Sequence, residues 1–499
     1  QRARSWLTWY TTNGEAAPFA THEEQPRLPL AVGPICMAHV SQPPVSAAPT
    51  STRRQVFTLA VPAVGEQLLN TTVGLADVFL LGNLALAAAA TLGYGRVEAV
   101  AAAGLGNQMI WLVNVLFMSL AIGSTAMIAR AAGAKDAIQM QHVLQQSLLF
   151  AAGMGGFGML VMIFLAQPFL ALLNTPSEVR PLATTYMQII SVSLIPTALL
   201  MVGTACLRGV GDTRTPLYVM LGANAVNVLL TWLFVSGNWG MPALGVTGAA
   251  IGTAVARIGG GVVLLALLLR GRSGLQLLPR PHVDVDIIRR LTVVGAPSAG
   301  EMLVFQLALI VFIRFVNDLG TAAYAAHTAI IIIESISFLP GFGYAYAAGA
   351  LVGQSLGAKE PQQAHARANE ATLQGMLLMT LVGIVIVMFP AQLLGLFVND
   401  PQAVALGAPA LLAAGLIQPT LAVGFILNGA LRGAGDTRFP LYARIATTWG
   451  VRLPLTWLLV GVLGMGLNGI WLAMCMDFTA QAYATLWRFF SERWQTVEV

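Results

Sequence analysis

From Val56 onward, apolar runs of about 20 residues recur along the chain, parted by short breaks that collect its charged, glycine and proline residues. As a helix, such a run is long enough to cross a hydrocarbon layer about 30 Å thick. Twelve spans are predicted, over 56–82, 97–128, 142–172, 181–206, 216–236, 243–269, 288–316, 321–351, 366–397, 403–430, 440–461 and 467–489.

The breaks between the runs repeat. LRGVGDTRTPLY (Leu207–Tyr218) returns as LRGAGDTRFPLY (Leu431–Tyr442), and GAKD (Gly133–Asp136) returns as GAKE (Gly357–Glu360), both at a shift of 224 residues. LNTP (Leu173–Pro176) reappears as VNDP (Val398–Pro401), and PAVGE (Pro62–Glu66) as PSAGE (Pro297–Glu301). Motifs in one order at nearly constant offset imply two homologous halves, predicted over 53–275 and 276–499. Matching loops fall on the same membrane side in both halves, so the repeats are parallel, with a cavity expected between them.

Composition narrows the class. Of 499 residues, 57% are hydrophobic and 9% charged, against roughly 25% charged in an ordinary soluble domain. The mean hydropathy is +0.74. Too few polar residues are present to cover the surfaces of soluble domains of this total length. The 51 glycines suit membrane helices that approach closely. The expected fold class is an all-α integral membrane protein of about twelve transmembrane helices in two six-helix lobes.

The formal charge of +5 does not point to nucleic acid, because no basic cluster is interleaved with aromatics. Most basic residues sit instead in alternate loops: Arg53 and Arg54, Arg130 and Lys135, Arg208 and Arg214, Arg270 to Arg290, Lys359 and Arg367, Arg432 and Arg438, and Arg488 and Arg493. The positive-inside rule then places both termini in the cytoplasm and the protein in the cell inner membrane. Cys36, Cys206 and Cys475 lie far apart and indicate neither a disulfide framework nor a zinc site. Residues 1–52, with scattered prolines and no sustained period, read as a disordered cytoplasmic tail.

Charged residues inside spans are costly in hydrocarbon and are usually functional. Asp77, in GLADVFLLG, is a candidate cation or proton site, or else a cap near the membrane interface. Glu66 and Glu301 each stand four residues after a helix-bending proline, where freed carbonyls and a carboxylate can hold a hard cation or a proton. Glu334 is a third acid, on the eighth span. The other reading of these glutamates is a carboxyl buried neutral or paired with arginine. The LRGxGDTR turns read as structural: Arg208 and Arg432 close a helix, the glycines permit a left-handed turn, and Asp212 and Asp436 cap the next helix.

The duplicated LRGxGDTRxPLY after the fourth and tenth spans, with GAK turns after the second and eighth, resembles the MATE (multidrug and toxic compound extrusion) family. GLADVFLLG, ESISFLPGFG and GVTGAAIGT are similar to its prokaryotic, DinF-like branch, over nearly all of 53–494. The resemblance implies that Asp77 is the carboxylate of a cation site in the first lobe, Asn227 that site's asparagine and Thr253 its hydroxyl ligand. Thr231 stands where the family often carries a second Asp. A seventh-span glutamate that helps bind the cation in some members lies about one turn further from the proline than Glu301.

Other signals carry no chemistry. Gly153, Gly155 and Gly158 spell GxGxxG within a span, with no preceding strand. No GxxxxGK[ST] is present, so ATP hydrolysis by this chain does not drive transport. His327 lacks a partner at metal-ligand spacing, and no hydrolase constellation emerges. The expected function is a sodium- or proton-coupled antiporter, not an enzyme, exporting amphipathic and often cationic organic compounds. It would need no cofactor beyond the coupling ion and would act as a monomer among membrane lipids, with neither nucleic acid nor ATP as partner. The alternatives are a lipid or lipid-linked oligosaccharide flippase, which would use Arg257, Arg444 and Arg452 if they face inward, and, more remotely, an intramembrane enzyme.

Overall fold

The computed structural model describes residues 51–83, 92–277 and 283–497. The tail expected over 1–52 lies outside them except for Ser51, which accepts from the Arg54 amide as the N-cap of the first helix, and Thr52, which begins that helix. Among the described residues all regular structure is helical. The first half holds α1 (Thr52–Gly82), α2 (Arg96–Gly133), α3 (Ala137–Leu172), α4 (Val179–Ser191), α5 (Leu194–Gly209), α6 (Arg214–Ser236) and α7 (Val246–Leu269). The second holds α8 (Val285–Asn317), α9 (Thr321–Gly357), α10 (Pro361–Met388), α11 (Pro390–Gly395), α12 (Pro401–Leu416), α13 (Gln418–Ala434), α14 (Arg438–Val462) and α15 (Gly466–Phe490).

Eight of these helices are long and apolar enough to cross a membrane, and two bent pairs bring the number to 10. At 31 and 25 residues, α1 and α15 also have the length to cross. The set therefore matches the twelve expected spans. The bent pairs are the fourth and tenth spans, α4 with α5 at 54° and α12 with α13 at 51°. At the first bend the Ser191 and Ser193 hydroxyls donate to the carbonyls of Gln188 and Ile190, and Pro196 has no amide to donate. Both devices bend helices. Pro419 stands just past the second bend. The ninth span is shorter than expected, because Pro390 breaks it and starts α11 anew. The eleventh span, α14, carries two π-helical stretches, Thr448–Arg452 and Trp457–Val462.

Two clusters of buried apolar side chains organise the bundle. One is built around Phe117, Leu144, Tyr186 and Leu264 in the first half, the other around Phe312, Met379, Leu411 and Trp471 in the second. They exchange members at one end: Val56 and Ala60 of α1 pack into the second cluster, and Leu291 of α8 packs into the first.

That end is held shut by glycines. A Cβ on Gly133 would overlap the Gln354 carbonyl, and one on Gly357 would overlap that of Arg130, the repeat-equivalent pair. Across the same contact Gln354 Nε2 donates to the Gly209 carbonyl at 2.8 Å, and Arg130 Nη2 to the Ala434 carbonyl at 2.9 Å. The two halves thus reach for each other's helix ends in a nearly twofold arrangement. In the turn that follows α5, Gly211 takes φ +92°, as does Gly435 after α13, a conformation that favours glycine. Asp212 accepts from the Thr215 amide at 2.9 Å, as expected of a cap. Asp436 does otherwise: it accepts from Arg488 Nε of α15 at 2.7 Å and ties its turn to the last helix.

Candidate functional site

In the first half α1, α6 and α7 bring four polar side chains together. Gly252 has no Cβ to hold the helices apart, for one placed there would lie 2.6 Å from Thr231 Oγ1. The resulting close approach of α6 and α7 sets Thr231 and Thr253 on either side of Asp77. Thr253 donates to Asp77 Oδ2 at 2.7 Å, and Thr231 donates to Oδ1 at 3.3 Å. Asn227, one turn before Thr231, donates from Nδ2 to Thr253 Oγ1 at 2.9 Å, and its own Oδ1 is buried with no hydrogen-bond partner. All four residues are at most 2% exposed. The site is rich in oxygen, with one carboxylate, one amide oxygen and two hydroxyls. That donor set suits a hard cation or a proton, although it offers a single formal charge.

A cavity of about 330 Å³ opens beside this cluster. Asn227 and Thr253 line it, together with Trp111, Asn114, Arg257 and, from the second half, Tyr346. Glu66 and Arg208 also line it, as an ion pair of 2.6 Å, with the Arg208 guanidinium lying 4.8 Å from the Tyr346 ring centre. Arg208 therefore closes its helix and neutralises Glu66 at the same time.

The second half repeats the pair and departs from it elsewhere. Arg432 Nη2 meets Glu301 Oε2 at 2.7 Å, and Arg444 Nε lies 3.8 Å from the other oxygen. Arg452, fully buried at the end of the first π-helical stretch, lies 2.8 Å from an equally buried Asp477 of α15. Phe305, Phe312 and Phe478 surround its guanidinium at 5.1–5.6 Å, a placement that attracts a cation to ring faces. Glu334 is 3% exposed and makes no ion pair within 4 Å among the described residues. The position one turn beyond Glu301 is Phe305, which faces Arg444 and Arg452 rather than a cation site. His327 packs between Phe312 and Trp471.

Asp77, Asn227, Thr231 and Thr253 are thus gathered at one point, while Glu66, Glu301 and Glu334 stand at three others. Asp477 was missed in the sequence, although a lone acid within an apolar span was the signal that singled out Asp77 and Glu334. The sequence leaves the direction of Arg257 open, and the structure turns it toward the first-half cavity.

Comparison with known proteins places these features among relatives. The sequence profile of the MatE family matches the chain twice, over residues 62–233 and 297–458, starting in each half at the proline that precedes Glu66 or Glu301. The chain is 31% identical to the probable multidrug resistance protein NorM of Thermotoga maritima over 453 residues, covering 89% of this chain and 93% of the relative. It is 26% identical to the multidrug resistance protein NorM of Burkholderia vietnamiensis, covering 91% and 97%. Its fold superposes on the crystal structure of MATE in the bent conformation with a TM-score of 0.81 at 20% identity, covering 89% of this chain and 97% of that one.

Proposed function

Because the chain belongs to the MATE family, whose members are multi-pass membrane transporters and not enzymes, we propose that it is a cation-coupled antiporter exporting amphipathic, often cationic, organic compounds from the cytoplasm. The relatives named for multidrug resistance support the export of such compounds. The basic residues in the loops at the closed end support a cytoplasmic placement of that end by the positive-inside rule.

One observation carries the coupling: Asp77 is buried with hydroxyls on both of its oxygens, no ion pair within 4 Å among the described residues, and the Asn227 carbonyl oxygen left without a partner. An ionised carboxylate so placed is costly until a cation or a proton joins it. Arrival of sodium or a proton from outside neutralises the cluster and draws α1 toward α6 and α7. If the two lobe arrangements differ in that packing, ion and substrate favour opposite arrangements. Each then drives out the other through its differential affinity for the two states.

The test is dye efflux from vesicles under separately imposed sodium and proton gradients, with wild type and Asp77→Asn compared. Wild-type efflux should follow at least one gradient, and the variant should lose that response while staying folded. Wild-type rates of uphill transport in the variant would remove Asp77 from coupling.

A further inference from the structure

Among the groups that line the first-half cavity, Glu66 and Arg208 cancel each other at 2.6 Å. The remaining charged lining residue is Arg257. It stands one helical turn after Thr253 on α7, hence on the same face. It forms no ion pair within 4 Å among the described residues, and its Nη1 is buried with no hydrogen-bond partner. Asp77 is the natural candidate to neutralise it, but both Asp77 oxygens are engaged by the Thr253 and Thr231 hydroxyls. At Arg257 Nη1 the cavity therefore presents a buried donor without an acceptor, while Arg208 offsets the Glu66 charge through Oε1, leaving Oε2 without a partner, and the Asp77 oxygens sit behind hydroxyls.

A buried N–H left without an acceptor is unfavourable, and the guanidinium that carries it matches a carboxylate or phosphate in shape and charge. The rest of the lining is amphipathic: Trp111, Met118, Leu200 and Met201 supply apolar surface, and Asn114 Oδ1 is a further buried atom without a partner. We infer that Arg257 is the anchor of an oxyanion subsite in this cavity, which takes amphipathic substrates bearing a carboxylate or phosphate beside an apolar body.

This rests on the reading of the cavity as the substrate path, and it narrows that reading: permanently cationic amphipaths are disfavoured next to Arg257, whereas acids and zwitterions are favoured. A zwitterion would set its anionic end on Arg257 and its cationic end toward Asp77, joining substrate and ion site without direct overlap.

The probes are pyrenebutyrate and its methyl ester, which share an apolar body and differ by one negative charge. Binding of each to the purified full chain in detergent is read by fluorescence anisotropy. Wild type should bind the acid about ten-fold more tightly than the ester. Arg257→Gln should abolish that preference, and Arg257→Lys, which keeps the charge but not the fork, should retain part of it. Thermal unfolding of each variant verifies that it is folded. Equal binding of acid and ester by wild type, or an unchanged preference in folded Arg257→Gln, would overturn the subsite; so would Arg257 serving only as a distant counter-charge to Asp77, which leaves the preference intact. Displacement of pyrenebutyrate by short-chain phosphatidate that depends on Arg257 would assign the same subsite to a lipid headgroup; displacement by water-soluble carboxylates would assign it to a solute. Gradient-driven transport of the uncharged methyl ester by wild-type vesicles reports on the proposed export separately, so the two readings fail independently.

Discussion

Arg208 donates to Glu66 at 2.6 Å across the first half, and 224 residues later its repeat, Arg432, donates to Glu301 at 2.7 Å. In each half the arginine ends one helix of the bundle and the glutamate stands one turn past the proline of the first helix. The pair joins the ends of two motifs that lie far apart in the chain, and this explains why both motifs recur together.

Removing one partner of such a pair strands a buried charge, a change that costs about 3–5 kcal/mol. Glu66→Gln should therefore lower the thermal unfolding temperature clearly. The double replacement Glu66→Gln with Arg208→Gln should recover part of the loss, because neither charge is then left alone. A double variant as unstable as the sum of the two single variants would show that the pair contributes little as a pair.

The glycine contacts at the closed end predict a change of state rather than of stability alone. Gly357→Ala places a methyl group against the Arg130 carbonyl, where backbone must move. The closed arrangement should be disfavoured and the opposite one populated. Cysteines placed at Gln354 or Thr125 in a background without native cysteines should label faster in Gly357→Ala than in its parent. Unchanged labelling rates in a folded variant would show that helix α9 absorbs the methyl group without opening.

Thr231→Asp adds an anionic oxygen against Asp77, where the hydroxyl now donates at 3.3 Å. Two carboxylates side by side repel unless a cation lies between them. The variant should therefore bind the coupling cation more tightly and shift its preference between sodium and proton gradients in vesicles. Identical responses to both gradients would place position 231 outside the ion site.

Asp212 bears on pH in the polar turn between α5 and α6. Burial opposes its ionisation, but hydrogen bonds from Ser273 and Thr215, with Arg272 nearby, outweigh burial and hold its carboxyl below the usual range. A carboxyl depressed on folding contributes stability above its unfolded value, and that stability is lost as pH falls through the folded value. Wild type should therefore lose more stability than Asp212→Asn as pH falls from neutral to below about 4. Parallel loss in both proteins would show that the turn does not depend on this charge.

The sequence by itself determined the twelve spans, the two halves and the motifs that join them. Each is written locally: a span is a run of apolar residues long enough to cross, and a repeat is visible as letters at a constant shift. The gathering of Asp77, Asn227, Thr231 and Thr253 was legible through the family resemblance, since one carboxylate and three neutral residues on three helices carry no local pattern. Tertiary structure alone decided what each charge meets. Glu66 and Arg208 stand 142 positions apart, Arg452 finds Asp477 from a π-helical stretch of the eleventh span, and Arg257 turns to the cavity with no acid within 4 Å among the described residues. Hydropathy registers that a charge lies within a span, but its energy in hydrocarbon depends on the neighbour across the helix interface. That neighbour is chosen by helix rotation and by close approaches such as the one at Gly252, which exist only once the helices are packed.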